Sequence, residues 1–263
     1  MSLLDFLQED PECRNLAAGA VHAVAPALDD PDPAVVLTQL DEWADVLVGR
    51  MPLPWNTHKA LDALNQLLFK ELGFTGDRET YDDPLNALLP AVLVRRKGLP
   101  ITLSILWIAL ARRLGFDAVG VGLPGHFLAA LRTDLGQLCF DPFHGGRAVG
   151  EEGGAELVRA ASAGQISFHR DMLQPSSDRQ ILVRLVRNLH RRFTQAESWD
   201  EAFWTATHLV ILDPENPRTL KDRAVVHLHR QEPGAALADL QEARRLSSEP
   251  DPEIQAWLQQ LEN

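Results

Sequence analysis

The segment that decides the fold is RKGLPITLSILWIALARRLGF (residues 96–116), followed by AVGVGLPGHFLAAL (118–131) and LCFDPFHGG (138–146). The first segment predicts one amphipathic helix, because Pro100 suits a helix N-terminus and Gly115 suits the position just after the last turn. A helix that leads directly into apolar strands indicates a mixed α and β core.

The two segments after this helix predict short, buried β-strands. Pro124–Gly125 is a turn signal between the first two strands, and a third strand is predicted over residues 135–142. His126 opens the second strand and Asp141 ends the third. We therefore expect the imidazole and the carboxylate to meet across neighbouring antiparallel strands.

The flanking regions are predicted to be helical. Residues 1–95 form the predicted helical N-terminal part, residues 96–173 the helix–strand–strand core, and residues 178–263 a helical tail. The joint between core and tail is the polar segment QPSSD (174–178). One helix near the N-terminus, over residues 32–51, is predicted to bury a stripe of six side chains: Val36, Leu37, Leu40, Trp43, Val46 and Leu47.

The tail repeats itself every 34 residues. Ala202 and Ala236 stand 34 positions apart (236 − 202 = 34) in similar surroundings, and Pro214 marks the end of a helix between them. This period is typical of helix–turn–helix tetratricopeptide repeats. We predict two such repeats followed by a capping helix in DPEIQAWLQQLEN (251–263).

Composition excludes several classes of function. The net charge is −12, and a uniformly acidic chain repels phosphate backbones, so nucleic acid is not an expected partner. The longest apolar run, residues 101–111, is too short to span a bilayer, and the N-terminus lacks the basic region of a signal peptide. With only two cysteines and no cofactor motif, we expect a cytoplasmic protein without a cofactor.

Three short motifs carry a family resemblance. GLPITL (98–103), PGHFL (124–128) and FDPFHGG (140–146), followed by the repeats, resemble the bacterial SirB-type proteins of the transglutaminase-like superfamily. The resemblance extends from about residue 30 to the end of the chain. It implies an α+β fold, mostly helical, with a papain-like core, a small antiparallel sheet and tetratricopeptide-like repeats.

The resemblance also implies a set of site residues. Members of the superfamily carry a catalytic cysteine at the N-terminus of the buried helix, and His126 and Asp141 match their histidine and aspartate. In this chain Pro100 falls where the cysteine is expected, and proline offers no nucleophile. Ser104 and Cys139 are the alternative nucleophiles with Thr102, although capping or core packing also explains each of them.

The His126–Asp141 pair has two further interpretations. A buried imidazole held by a carboxylate can simply stabilise two strands. Together with His144, the pair could also form a metal site. The three residues lack the tight spacing of metal ligands, however, and we predict no metal.

Two functional hypotheses follow from these residues. The first is a non-catalytic protein that holds a protein or peptide partner in the former active-site cleft and on its helical tail. The alternative is a hydrolase or acyltransferase on peptide or amide bonds. In that case His126 is the general base, Asp141 orients it, and Ser104 or Cys139 is the nucleophile.

Overall fold

The computed structural model describes residues 1–50, 56–134 and 136–261. The predictions from sequence also covered the remaining residues, which are 51–55, 135 and 262–263. Residues 51–55 belong to the predicted N-terminal helical part, residue 135 begins a predicted strand, and residues 262–263 end the predicted tail. These residues lie outside the part of the chain that the structure describes.

Helices form most of the N-terminal part, in agreement with the helical character predicted for residues 1–95. The helices are α1 (Leu3–Glu9), α2 (Leu16–Ala23), α3 (Pro33–Arg50), α4 (Thr57–Asn65) and α5 (Leu89–Arg95). Four of the six predicted stripe residues of α3 are buried, but Val46 is 41% exposed and Leu37 is only partly buried. Ala44 is buried instead of Val46, so the stripe is rotated slightly relative to the prediction.

Helix α6 (Pro100–Arg113) lies at the centre of the molecule. Every residue from position 100 to position 111 is buried. The indole of Trp107 stacks on Phe140 at 5.2 Å between ring centres, and its Nε1 donates a hydrogen bond to Asn65 Oδ1 at 2.9 Å. These contacts fix α6 between the N-terminal helices and the sheet, which positions the N-terminus of the helix.

An antiparallel sheet of five strands packs against α6. Two short strands outside this sheet, β1 (Thr75–Gly76) and β2 (Lys97–Gly98), pair with each other in parallel. The sheet has the order β6-β5-β4-β3-β7. Its strands are β3 (Ala118–Leu123), β4 (His126–Thr133), β5 (Gly136–Asp141), β6 (Arg147–Val149) and β7 (Pro175–Ser176).

The sheet has two covered faces because side chains alternate along each strand. Phe127, Ala129 and Phe140 join the large core around α6. The opposite face, which includes Leu128 and Cys139, forms a smaller apolar cluster with helix α7 (Glu151–Ala161). Strand β7 comes from the predicted polar joint, so this segment is an edge strand of the sheet.

Five helices make up the tail. They are α8 (Asp178–Gln195), α9 (Trp199–Leu212), α10 (Pro217–His229), α11 (Pro233–Leu246) and α12 (Pro252–Leu261). Helices α9 and α11 begin 34 residues apart (233 − 199 = 34). Leu185 and Leu189 of α8 and Leu209 of α9 belong to the same core as α6, so the first helix pair packs on the rest of the protein.

The predicted α+β fold class, mostly helical with a small antiparallel sheet, is therefore confirmed. Within the described ranges, no helix combines the length and the apolar character that crossing a membrane requires.

Candidate functional site

The structure brings His126 and Asp141 into contact. His126 Nε2 lies 2.9 Å from Asp141 Oδ1, and both residues are buried, Asp141 completely. Asp141 ends β5 and begins a short 3-10 turn over Pro142–His144. Because the strand ends there, the carboxylate can turn toward the start of the neighbouring strand β4, where His126 lies.

A second histidine uses the other oxygen of the same carboxylate. His144 Nδ1 lies 2.6 Å from Asp141 Oδ2, and the backbone N–H of His144 donates to Asp141 Oδ1 at 3.3 Å. The guanidinium of Arg147 lies 3.7 Å from Asp141 Oδ2. Burial alone raises the pKa of Asp141, but the hydrogen bonds and charges of the two histidines outweigh burial and lower it below its ordinary value.

The N-terminus of α6 faces the same cleft as His126. Pro100 takes the first helical position and lines this cleft together with His126 and Phe127. Proline at this position lacks the N–H that an anionic group would use and carries no acidic proton. The predicted nucleophile position thus lines the same cleft as the histidine, and an inert ring occupies it.

The hydroxyl groups near the start of α6 have other partners. Thr102 Oγ1 accepts from the N–H of Leu99 at 2.9 Å and donates to the carbonyl of Asn86 at 2.7 Å, so it caps the helix. Ser104 is fully buried and donates to the carbonyl of Phe127 at 3.4 Å. Within the described residues, neither hydroxyl hydrogen-bonds to the ring of His126.

Cys139 lies on the apolar face of the sheet that α7 covers. It pairs with Ala130, four residues along β4 from His126, which is roughly 13 Å along a strand. Gln137 Nε2 contacts its sulfur at 3.4 Å, and burial raises the pKa of the Cys139 thiol. The structure therefore does not bring Cys139, one of the alternative nucleophiles, to the imidazole.

The same three side chains are the ones that could hold a metal ion. Ligand atoms of His126, Asp141 and His144 all lie within 4.8 Å of one another. However, each carboxylate oxygen of Asp141 already accepts a hydrogen bond from one histidine. A metal ion would take the same atoms as ligands in place of these hydrogen bonds, so the three side chains are compatible with either arrangement.

The cleft beside His126 is large and basic. Its volume is about 1180 Å³, and it extends from the N-terminus of α6 along α8 to the start of α10. Five arginines line it: Arg179, Arg184, Arg187, Arg191 and Arg218. This feature was not among the predictions from sequence, although the spacing of Arg184, Arg187 and Arg191 places them along one side of a helix and was a usable signal.

Comparison with known proteins agrees with the fold and with the repeats. A family model of the transglutaminase-like superfamily matches residues 34–187, and a tetratricopeptide repeat model matches residues 189–261. A UPF0162 protein of Xylella fastidiosa is 40% identical over 181 residues, which is 68% of this chain and 64% of that protein. The chain thus spans less than two thirds of the length of that relative.

Two further relatives differ in how much of this chain they match. A UPF0162 protein of Pseudomonas aeruginosa is 31% identical over 254 residues, covering 95% of this chain and 91% of that protein. F-box only protein 21 of Homo sapiens is 43% identical over 70 residues, which is 27% of this chain and 11% of that protein. From these matches, the chain belongs to the transglutaminase-like superfamily and to the UPF0162 proteins, with tetratricopeptide repeats in its C-terminal part.

Proposed function

We propose that this chain is a non-catalytic, SirB-type transglutaminase-like protein that holds a segment of a protein partner in its cleft. The observation that carries the proposal is the position of Pro100. It occupies the first turn of α6 and lines the same cleft as His126, where the superfamily resemblance implies a cysteine. Among the described residues, the candidate nucleophiles Thr102, Ser104 and Cys139 hydrogen-bond elsewhere and not to the imidazole, so none of them is placed for His126 to activate it.

The repeats support the binding role. Tetratricopeptide-like helix pairs build extended surfaces that suit peptide segments, and here α8 and α10 continue the wall of the cleft that begins at His126. The proposal includes the domain division given above, with the boundary near residues 174–178. It also places the protein in the cytoplasm, since Cys13 and Cys139 are both free thiols.

The alternative is a hydrolase or acyltransferase that keeps the His126–Asp141 pair. The 2.9 Å contact between the two side chains favours it, because this geometry orients an imidazole for proton transfer. Ser104 would have to break its contact with the carbonyl of Phe127 to act as the nucleophile. Cys139 would have to leave an apolar cluster.

Hydrolysis of p-nitrophenyl acetate separates the two candidates. We expect the wild-type protein and His126→Ala to hydrolyse the ester at the same rate, within about twofold, because exposed imidazoles supply the background reaction. His58→Ala is the matched control, since His58 is exposed. A wild-type rate at least tenfold above that of His126→Ala, with His58→Ala unchanged, would establish the enzyme instead.

A further inference from the structure

The cleft concentrates positive charge in an acidic protein. Its lining includes five arginines but only three acidic residues, Asp213, Glu215 and Asp222, whereas the whole chain has a net charge of −12. A concave surface with an excess of one sign of charge raises the local concentration of ligands of the opposite sign. The arginines differ in whether a carboxylate already pairs with them. Those without such a partner indicate where a negatively charged ligand would bind.

Arg184 is a partly buried cation without a carboxylate partner among the described residues. One guanidinium nitrogen donates to the carbonyls of Leu123 and His126, and the group lies 5.4 Å from the ring centre of Phe127. Burial lowers the pKa of Arg184, which reflects the cost of keeping this charge away from water. Buried charges are normally paired, so an anion entering the cleft would supply the missing partner.

Two more arginines that line the cleft have no carboxylate partner among the described residues. Arg191 of α8 and Arg218 of α10 are exposed and form no ion pair within the described ranges. Arg187 also lines the cleft and contacts Asp222 at 3.5 Å. Arg179 instead donates to the carbonyls at the end of α9. The arginines without a carboxylate partner among the described residues therefore lie on α8, beginning near His126, and at the start of α10.

We propose that the cleft binds an acidic segment of a protein partner, with one carboxylate at Arg184 and others at Arg191 and Arg218. This inference rests on the proposed function and names the chemistry of the partner. We infer a peptide rather than a nucleic acid because separate carboxylates on flexible side chains can reach spaced arginines one by one. Planar guanidinium groups also suit carboxylates geometrically.

Fluorescence anisotropy with three labelled probes tests the proposal. The probes are a hexaglutamate peptide, a hexaglutamine peptide and a six-nucleotide oligothymidylate. We expect the hexaglutamate to bind and the hexaglutamine not to bind. In the double variant Arg191→Gln/Arg218→Gln, the Kd for hexaglutamate should rise about tenfold, as expected from the loss of two partly exposed charge contacts.

The matched control is Arg159→Gln/Arg244→Gln, which removes the same charge from two exposed arginines outside the cleft. Its Kd should change less than twofold. No binding of hexaglutamate, an equal effect of both double variants, or tighter binding of the oligothymidylate would each overturn the proposal. These outcomes leave the ester assay unaffected, so failure of this ligand assignment is distinguishable from failure of the non-catalytic function.

Discussion

The Pro100→Cys variant is expected to react with iodoacetamide at pH 6 roughly 10- to 100-fold faster than either native cysteine, because helix N-termini and histidines lower thiol pKa values. The new thiol would stand in the first turn of α6 on the same cleft wall as His126. The native thiols are poor competitors, since burial raises the pKa of Cys13 to about 11 and also raises that of Cys139.

Two variants separate the contributions to this reactivity. Pro90→Cys places a thiol in the first turn of α5, a helix that does not line the cleft, and should react much more slowly at pH 6. Adding His126→Ala to Pro100→Cys should remove most of the gain. If Pro100→Cys reacts no faster than Pro90→Cys, Pro100 does not occupy a former nucleophile position, and the main argument for a lost active site fails.

Replacing Asp141 with alanine is expected to lower the free energy of unfolding at pH 7 by about 3 kcal/mol or more, since hydrogen bonds to a charged group contribute about 1.5–3 kcal/mol each. The substitution leaves His126 and His144 without the carboxylate that accepts from both. Asp141→Asn should cost less, because the amide oxygen can still accept a hydrogen bond. Urea unfolding of the wild type, Asp141→Ala and Asp141→Asn measures the free energy of unfolding of each.

The pH dependence of this difference has a definite sign. The pKa of Asp141 is lowered in the folded protein from its ordinary value of 3.8, so its contribution is complete above that value and is lost as the pH falls through the folded pKa. The gap between wild type and Asp141→Ala should therefore narrow below about pH 4. Asp45→Ala, at an exposed position, should have no comparable effect; a gap that widens in acid would contradict the ion-pair description.

The central unit of the fold could be predicted from local sequence. Pro100 and Gly115 mark the ends of α6 closely, and Pro124–Gly125 separates β3 from β4 as expected. These signals work because turn and cap preferences depend on a few adjacent residues. The meeting of His126 and Asp141 followed from their places on neighbouring antiparallel strands.

The missed features depend on contacts between distant parts of the chain. Strand β7 forms only because Pro175 and Ser176 reach Val121 and Gly120 of β3. Cys139 and Asp141 share a strand, yet Cys139 packs in the cluster under α7, whereas the chain leaves the strand at Asp141 and turns the carboxylate toward His126. Arg184 reaches the His126 carbonyl across 58 positions, which no local pattern encodes.

Intact-mass spectrometry tests the central claim most directly. Wild type and His126→Ala are incubated side by side with a fluorophosphonate, which labels activated hydroxyls, and with iodoacetamide, which labels thiols. If no nucleophile depends on His126, the two proteins will carry the same adducts at the same rates. An adduct that forms on the wild type and is absent from His126→Ala would show that the cleft still holds a working nucleophile.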